Sequence, residues 1–157
     1  ALRHDKHLVK KAVLIHGGQR IVGSIAVLFI DGVWHVYDSW QLKPLDLCLA
    51  SFISEVQDLG VGEILLTSHR CEGQMKGFDL DLLENIVGLV SVPLIFQGGA
   101  GSLIDFYHIL KSAEDIGVEI SAIAASSCFH FTQLTPGEVS KYLKDMKFDT
   151  RIANAPF

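Results

Sequence analysis

Short aliphatic runs that end in small, amide or hydroxyl residues recur along this chain, each followed by a segment of helical period. This alternation most limits the folds open to it. Gly62-Glu-Ile-Leu-Leu-Thr-Ser68, Leu94-Ile-Phe-Gln97 and Ile120-Ser-Ala-Ile-Ala-Ala125 are such runs. Their apolar residues are continuous rather than alternating, which predicts strands buried on both faces, as in a parallel sheet under helices. Between them, Leu49, Phe52, Ile53 and Val56 recur at helical spacing within 47–59, and Gly60 closes that helix. Helices are likewise predicted over 80–89, over 103–116 with Ser102 and Asp105 placed to cap it, and over 136–146 with Pro136 in the tolerant first turn. Upstream, Leu8 to Leu14 reads as the end of a helix stopped by Gly17-Gly18. Arg20 to Phe29 then reads as a strand, Asp31-Gly32 as a hairpin turn and Val33 to Tyr37 as the returning strand. Four strand–helix units result, with no linker between them, so residues 1–157 are expected to form one unit. The pattern fits a small open α/β sheet or half of an eight-stranded (βα)8 barrel, and periodicity does not choose between them.

Composition narrows the function classes. Apolar residues make up 49% of the 157 and mean hydropathy is +0.34, so much of the surface is expected to be covered. The apolar stretch Ile21 to Ile30 is broken by Gly23 and Ser24 and is shorter than the roughly 18 to 20 residues that span a bilayer. The charged opening residues do not resemble a secretory signal. A net charge of −5 without a basic cluster argues against a nucleic-acid partner. Three cysteines, Cys48, Cys71 and Cys128, have no zinc-knuckle or disulfide spacing, which suits a reducing cytoplasmic setting. Cys48 and Cys128 lie in apolar runs where buried thiols are ordinary, and Cys71 lies in a polar loop. Seven histidines include no pair at ligand spacing on one clear element, so neither a metal nor a cofactor is expected; His4 and His7 read as solvent-facing.

The strongest local signal is Gln97-Gly-Gly-Ala-Gly-Ser102, directly after a strand. Backbone amides without side chains can approach an anion there, and the next helix would add its positive end. The competing explanation is a tight turn with no ligand. Ala124-Ala-Ser-Ser127 ends the adjacent strand and would bring amides and hydroxyls to the same side, where barrels commonly build a phosphate site. Gly73, Gly98, Gly99, Ser126 and Ser127 are therefore the candidate phosphate-binding residues.

Gly60-Val-Gly-Glu-Ile-Leu-Leu-Thr-Ser68, Gly77-Phe-Asp79, Gly98-Gly-Ala-Gly101 and Ala124-Ala-Ser126 with Phe129-His-Phe131 resemble, in order and spacing, the C-terminal half of the cyclase subunit of imidazole glycerol phosphate synthase. The resemblance implies strands five to eight of a (βα)8 barrel of histidine biosynthesis. It also implies a phosphorylated substrate, and ammonia delivered through the barrel by a glutaminase partner. In that family, aspartates on the first and fifth strands carry the proton transfers. An N-terminal half barrel or self-association would have to cover the open inner face.

The chain also departs from that pattern. Ala26, in Ile21-Val-Gly-Ser-Ile-Ala-Val27, stands where the resemblance places the fifth-strand aspartate, and a methyl group cannot take a proton. The family's Asp-Arg-Asp-Gly-Thr run is here Arg70-Cys-Glu-Gly-Gln74, so Glu72 replaces an active-site aspartate with a longer carboxylate that could bond substrate hydroxyls or simply face solvent. His69, at a strand end, is a further candidate for substrate contact. His130 is expected to pack, Trp34, His35 and Tyr37 belong to the hairpin, and Asp38 and Asp46 read as surface carboxylates. Two functions stay open: a cyclase half that binds a substrate phosphate but lacks the usual catalytic aspartate, or a non-catalytic or sugar-amidination paralogue serving as an ammonia-channelling, phosphate-binding scaffold.

Overall fold

The computed structural model describes residue 2 and residues 5–151. Helix α1 (Lys6–His16) leads through a short 3-10 turn (Gly18–Arg20) into β1 (Val22–Ile30), β2 (Val33–Asp38) and β3 (Lys43–Cys48). There follow α2 (Leu49–Asp58), β4 (Glu63–Ser68), α3 (Leu80–Asn85), β5 (Leu94–Gln97), α4 (Leu103–Ile116), β6 (Ala122–Ala124), α5 (Ser127–Phe131) and α6 (Pro136–Asp145). The strands form one six-stranded sheet in the order β3-β2-β1-β4-β5-β6. β1, β4, β5 and β6 are parallel neighbours, whereas β2 and β3 continue the sheet antiparallel beyond β1. The result is an α/β fold with a mainly parallel sheet, as the TIM-barrel class requires of its strands.

Burial alternates along the strands. Ile25 and Val27 of β1, Ile64 and Leu66 of β4, and Leu94 and Phe96 of β5 are buried on the helix side with Phe52, Ile53, Val56, Leu82, Leu83 and Ile109. Each such aliphatic side chain contributes about 1.5–3 kcal/mol on leaving water. On the opposite face Ala26, Leu65, Thr67, Ile95, Gln97 and Ala124 are only half-buried and Ser24 is exposed. The aliphatic runs predict burial on both faces; the structure buries only the face against which the helices pack.

The sequence pattern also missed two elements. Residues 43–48 are a strand, so α2 begins at Leu49 rather than at 47, and Ser127–Phe131 is a short helix. Helix α3 ends at Asn85 rather than continuing to 89. The last strand has three residues, with Ala122 exposed, since it is the edge of the sheet. Cys48 is exposed, contrary to expectation, and hydrogen bonds from the Ser51 backbone, the Ser51 side chain and the Ala50 backbone lower its thiol pKa. Cys128 is buried, and burial raises both its thiol and that of half-buried Cys71. Asp38 is buried and accepts from the Trp40 and Gln41 amides at 2.9 and 3.0 Å, so it shapes the β2–β3 turn rather than facing solvent. Asp46 and His7 are exposed, and His4 lies outside the described residues.

A polar knot fixes the segment after β4. Buried Ser68 donates to Asp79 Oδ2 at 2.5 Å, and Arg70 donates Nε to Oδ2 at 2.7 Å and Nη2 to Oδ1 at 2.5 Å. Asp79 also caps α3 by accepting the Leu82 N–H at 3.2 Å. The Arg70 guanidinium lies over the Phe29 and Trp34 rings at 4.9 and 4.8 Å, tying the hairpin to α3. Burial alone would raise the Asp79 pKa, but the hydrogen bonds from Arg70, Ser68 and Leu82 outweigh it and hold the carboxyl below its ordinary value. The group's stabilisation is therefore complete above the unfolded value of about 3.9 and lost as pH falls through the lower folded value. Replacing Asp79→Asn should cost about 2–4 kcal/mol in denaturant unfolding at neutral pH, and it should flatten the loss of stability below about pH 4. An unchanged acid limb in the variant would show that Asp79 is not the group responsible.

Candidate functional site

The parallel register brings the C-terminal strand ends into line. Ala26 pairs with Thr67, Thr67 with Gln97 and Gln97 with Ala124, so these four side chains form one row on the open face. Tyr37 continues the row on β2 opposite Ala26. At the end of this row, the loops after β4, β5 and β6 converge on a narrow cleft lined by Glu72, Gly73, Gly98, Gly99, Ala100, Ala125, Ser126 and Ser127. All five candidate phosphate-binding residues and Glu72 thus come together from three separate loops. The free space within the cleft is about 10 Å³, enough for about one water, so a larger anion would sit at its mouth.

Packing alone explains the two central glycines. Gly98 and Gly99 have φ of +110° and +107°. A Cβ on Gly99 would stand 2.0 Å from the Gly77 carbonyl oxygen, and one on Gly98 would stand 2.9 Å from that of Ser68. The Gly77 N–H donates to the Gly99 carbonyl at 2.9 Å, so the loop after β4 lies directly on the glycine turn. The glycine signal therefore reports a close backbone approach whether or not a ligand binds.

The start of α4 offers less to an anion than the sequence suggests. Asp105 accepts the Gly101 and Ser102 amides at 2.9 and 2.8 Å and the Ser102 hydroxyl at 3.0 Å, completing a capping box. Its carboxylate takes up N–H groups that would otherwise face a ligand. On the other side of the cleft Ser126 is exposed and Ser127 half-buried, with the Phe129 and His130 amides donating to the Ser126 carbonyl at 3.0 and 3.2 Å. Glu72 Oε2 reaches Gln97 Nε2 at 3.4 Å and lies 3.4 Å from the place of a Gly98 Cβ. The cleft has no cationic side chain in its lining, so attraction for an anion there rests on backbone amides and hydroxyls, against the Glu72 carboxylate.

Ala26 lies on the same open face, and no carboxylate occupies its row. In its vicinity the Tyr37 and His69 rings stack, with centroids 4.1 Å apart and planes at 26°. Tyr37 belongs to the hairpin and His69 to a strand end, and their meeting depends on the pairing of β1 with both β2 and β4. Trp34 is buried against Phe29, and His35 Nδ1 lies 3.2 Å from the Leu45 carbonyl, so both hold the hairpin together. His130 was expected to pack but is exposed; Phe129 packs instead, against Phe106. Among the described residues no group of three or more His, Cys, Asp or Glu side chains is placed to hold a metal ion. Nor is any helix among them long and apolar enough to cross a membrane.

Comparison with known proteins identifies relatives of this chain. The family model described as "Histidine biosynthesis protein" matches residues 1–135. The imidazole glycerol phosphate synthase subunit HisF of Clostridium botulinum is 37% identical over 155 residues, covering 94% of this chain and 57% of that protein. The Thermococcus onnurineus subunit is 35% identical over 149 residues, covering 95% and 57% respectively. The Dictyoglomus thermophilum subunit is 45% identical over 112 residues, covering 71% and 42%. The chain thus spans a little over half the length of the first of these relatives. The matching family model and the HisF similarity together show that this chain belongs to the histidine biosynthesis protein family, as a homologue of the HisF subunit of imidazole glycerol phosphate synthase.

Proposed function

We propose that this chain is strands five to eight of a cyclase-type (βα)8 barrel, and that its task is to hold one phosphate of a phosphorylated substrate at Gly73, Gly98, Gly99, Ser126 and Ser127. The convergence of three strand-end loops on one cleft carries this reading. The complete barrel would use ammonia from a glutaminase subunit to form imidazole glycerol phosphate. Ala26 leaves its fifth strand without the carboxylate that should move the protons. The same alanine favours a second reading, in which the chain is a non-catalytic or sugar-amidination paralogue that binds phosphate and passes ammonia on.

A covering partner belongs to both readings. Val22, Gly23, Ser24 and Ile25 lie beyond the stretch of β1 that pairs with β2, so among the described residues no strand pairs with that part of the edge. A groove of about 380 Å³ beside it is lined by Val22, Ser24, Ala26, Tyr37 and Trp40 among others, and Trp40 is 88% exposed. An N-terminal half barrel or a second copy would pair the edge and cover the open face. Sedimentation of the isolated chain should therefore show a dimer or larger species, and a well-folded monomer would count against this.

Inorganic phosphate should raise the unfolding temperature in a saturable way, since a ligand that binds only the folded chain stabilises it by mass action. Glu72→Gln removes a repulsion of about 1 kcal/mol, so the half-saturating phosphate concentration should fall about fivefold. No stabilisation of either protein would remove the phosphate assignment. Joined to the N-terminal half of a relative, the native chain should give no ammonia-dependent cyclisation, whereas Ala26→Asp should restore it. If Ala26→Asp gives none, the scaffold or paralogue reading stands in its place.

A further inference from the structure

Arg70 joins the hairpin to the loop that serves the cleft. It stands near the head of that loop, where the resemblance would place an aspartate, and two residues later the loop supplies Glu72 and Gly73 to the cleft lining. Arg70 itself is not among the lining residues. Its guanidinium lies over the Phe29 and Trp34 rings, forks onto both oxygens of Asp79, and donates from Nη2 to Asp81 at 2.7 Å. A planar fork can satisfy two carboxylate oxygens while resting on aromatic faces, which a lysine ammonium cannot do.

Backbone bonds carry this anchorage to the cleft. The Glu72 N–H donates to the Ser68 carbonyl at 3.0 Å, the Gln74 N–H to the Cys71 carbonyl at 3.0 Å, and the Gly77 N–H to the Gly99 carbonyl at 2.9 Å. Ser68 donates its hydroxyl to the same Asp79 oxygen that Arg70 Nε reaches. Between these bonds Met75 is held at φ +52°, a conformation that costs free energy in any residue but glycine. The path of the loop is therefore imposed by its anchors rather than by its own preference. Without Arg70 the loop would sample other paths, and an anion at the cleft would have to order it on binding.

We propose that Arg70 is a positioning residue for the cleft: seated on the hairpin's rings and on Asp79, it holds Glu72 and Gly73 in place, so that the hairpin helps set the cleft's affinity for an anion. The affinity half of this claim rests on the phosphate reading above, whereas the anchoring half rests on the contacts of Arg70 alone.

Amide hydrogen exchange of the ligand-free chain tests the anchoring. Arg70→Lys and Arg70→Met should each speed exchange at the Glu72 and Gly77 amides about tenfold or more beyond any change at buried Leu66 of β4, which reports global stability. Thermal unfolding titrated with inorganic phosphate tests the coupling. Both variants should raise the half-saturating concentration about threefold or more, and Phe29→Leu, outside the cleft and with the Asp79 ion pair kept, should raise it about twofold. If Arg70→Met fails to fold, Arg70→Lys and Phe29→Leu decide. Native exchange at Glu72 and Gly77 in Arg70→Lys would overturn the anchor. Native phosphate affinity in Arg70→Lys would show that charge rather than seating matters, and native affinity in Phe29→Leu would remove the hairpin; either result overturns the coupling. Faster exchange with no phosphate response from any of the proteins would keep the anchor and sink the phosphate reading together with the coupling.

Discussion

The parallel pairing of β1, β4, β5 and β6 under helices on one face is the constraint on which the rest of this chain depends. It fixes which residues share a row, and so sets Ala26 beside Thr67 and Gln97 and delivers three loops to one end. A shift of one residue in any strand would exchange the buried and open faces. Ile64, Leu66, Leu94 and Phe96, all essentially inaccessible, make such a shift costly. The Ser68–Asp79–Arg70 knot adds a second anchor at the strand end, holding the loop after β4 against the glycine turn.

The open face is the chemical counterpart of that one-sided core. Half-buried Thr67 and Gln97 and exposed Ser24 sit on a surface that water reaches in this chain, which spans a little over half the length of relatives it matches. A face of this kind can carry polar function without the cost of burying unpaired groups, and it becomes an interior only when something covers it. The proposed phosphate cleft, Ala26 and the stretch of β1 that β2 leaves unpaired all lie on it or at its rim.

Much of the architecture is legible in the sequence because strand and helix periods differ and glycines punctuate them. The buried runs at 62–68 and 94–97 mark β4 and β5, and Gly60 and Gly117 end their helices. β3 escapes notice because Lys43, Pro44 and Asp46 break the expected pattern of an edge strand, and α5 because five residues are too few to show a period. The cleft is legible as two loops after adjacent strands, but the participation of Glu72 and Gly73 depends on how the loop after β4 folds back onto Gly98 and Gly99. The glycines themselves were a weaker sign of a ligand than their spacing suggested, since the Gly77 and Ser68 carbonyls already exclude side chains there. The stack of Tyr37 on His69 joins residues 32 positions apart, and no local rule connects them.

The claim that this strand end is a phosphate cleft meets its most direct test in backbone amide NMR of the isolated chain titrated with inorganic phosphate. Saturable shifts are expected at the Gly98, Gly99, Ser126 and Ser127 amides, with Gly101 and Ser102 little changed because Asp105 already holds them. Shifts that do not saturate, or that centre on other residues, would contradict it.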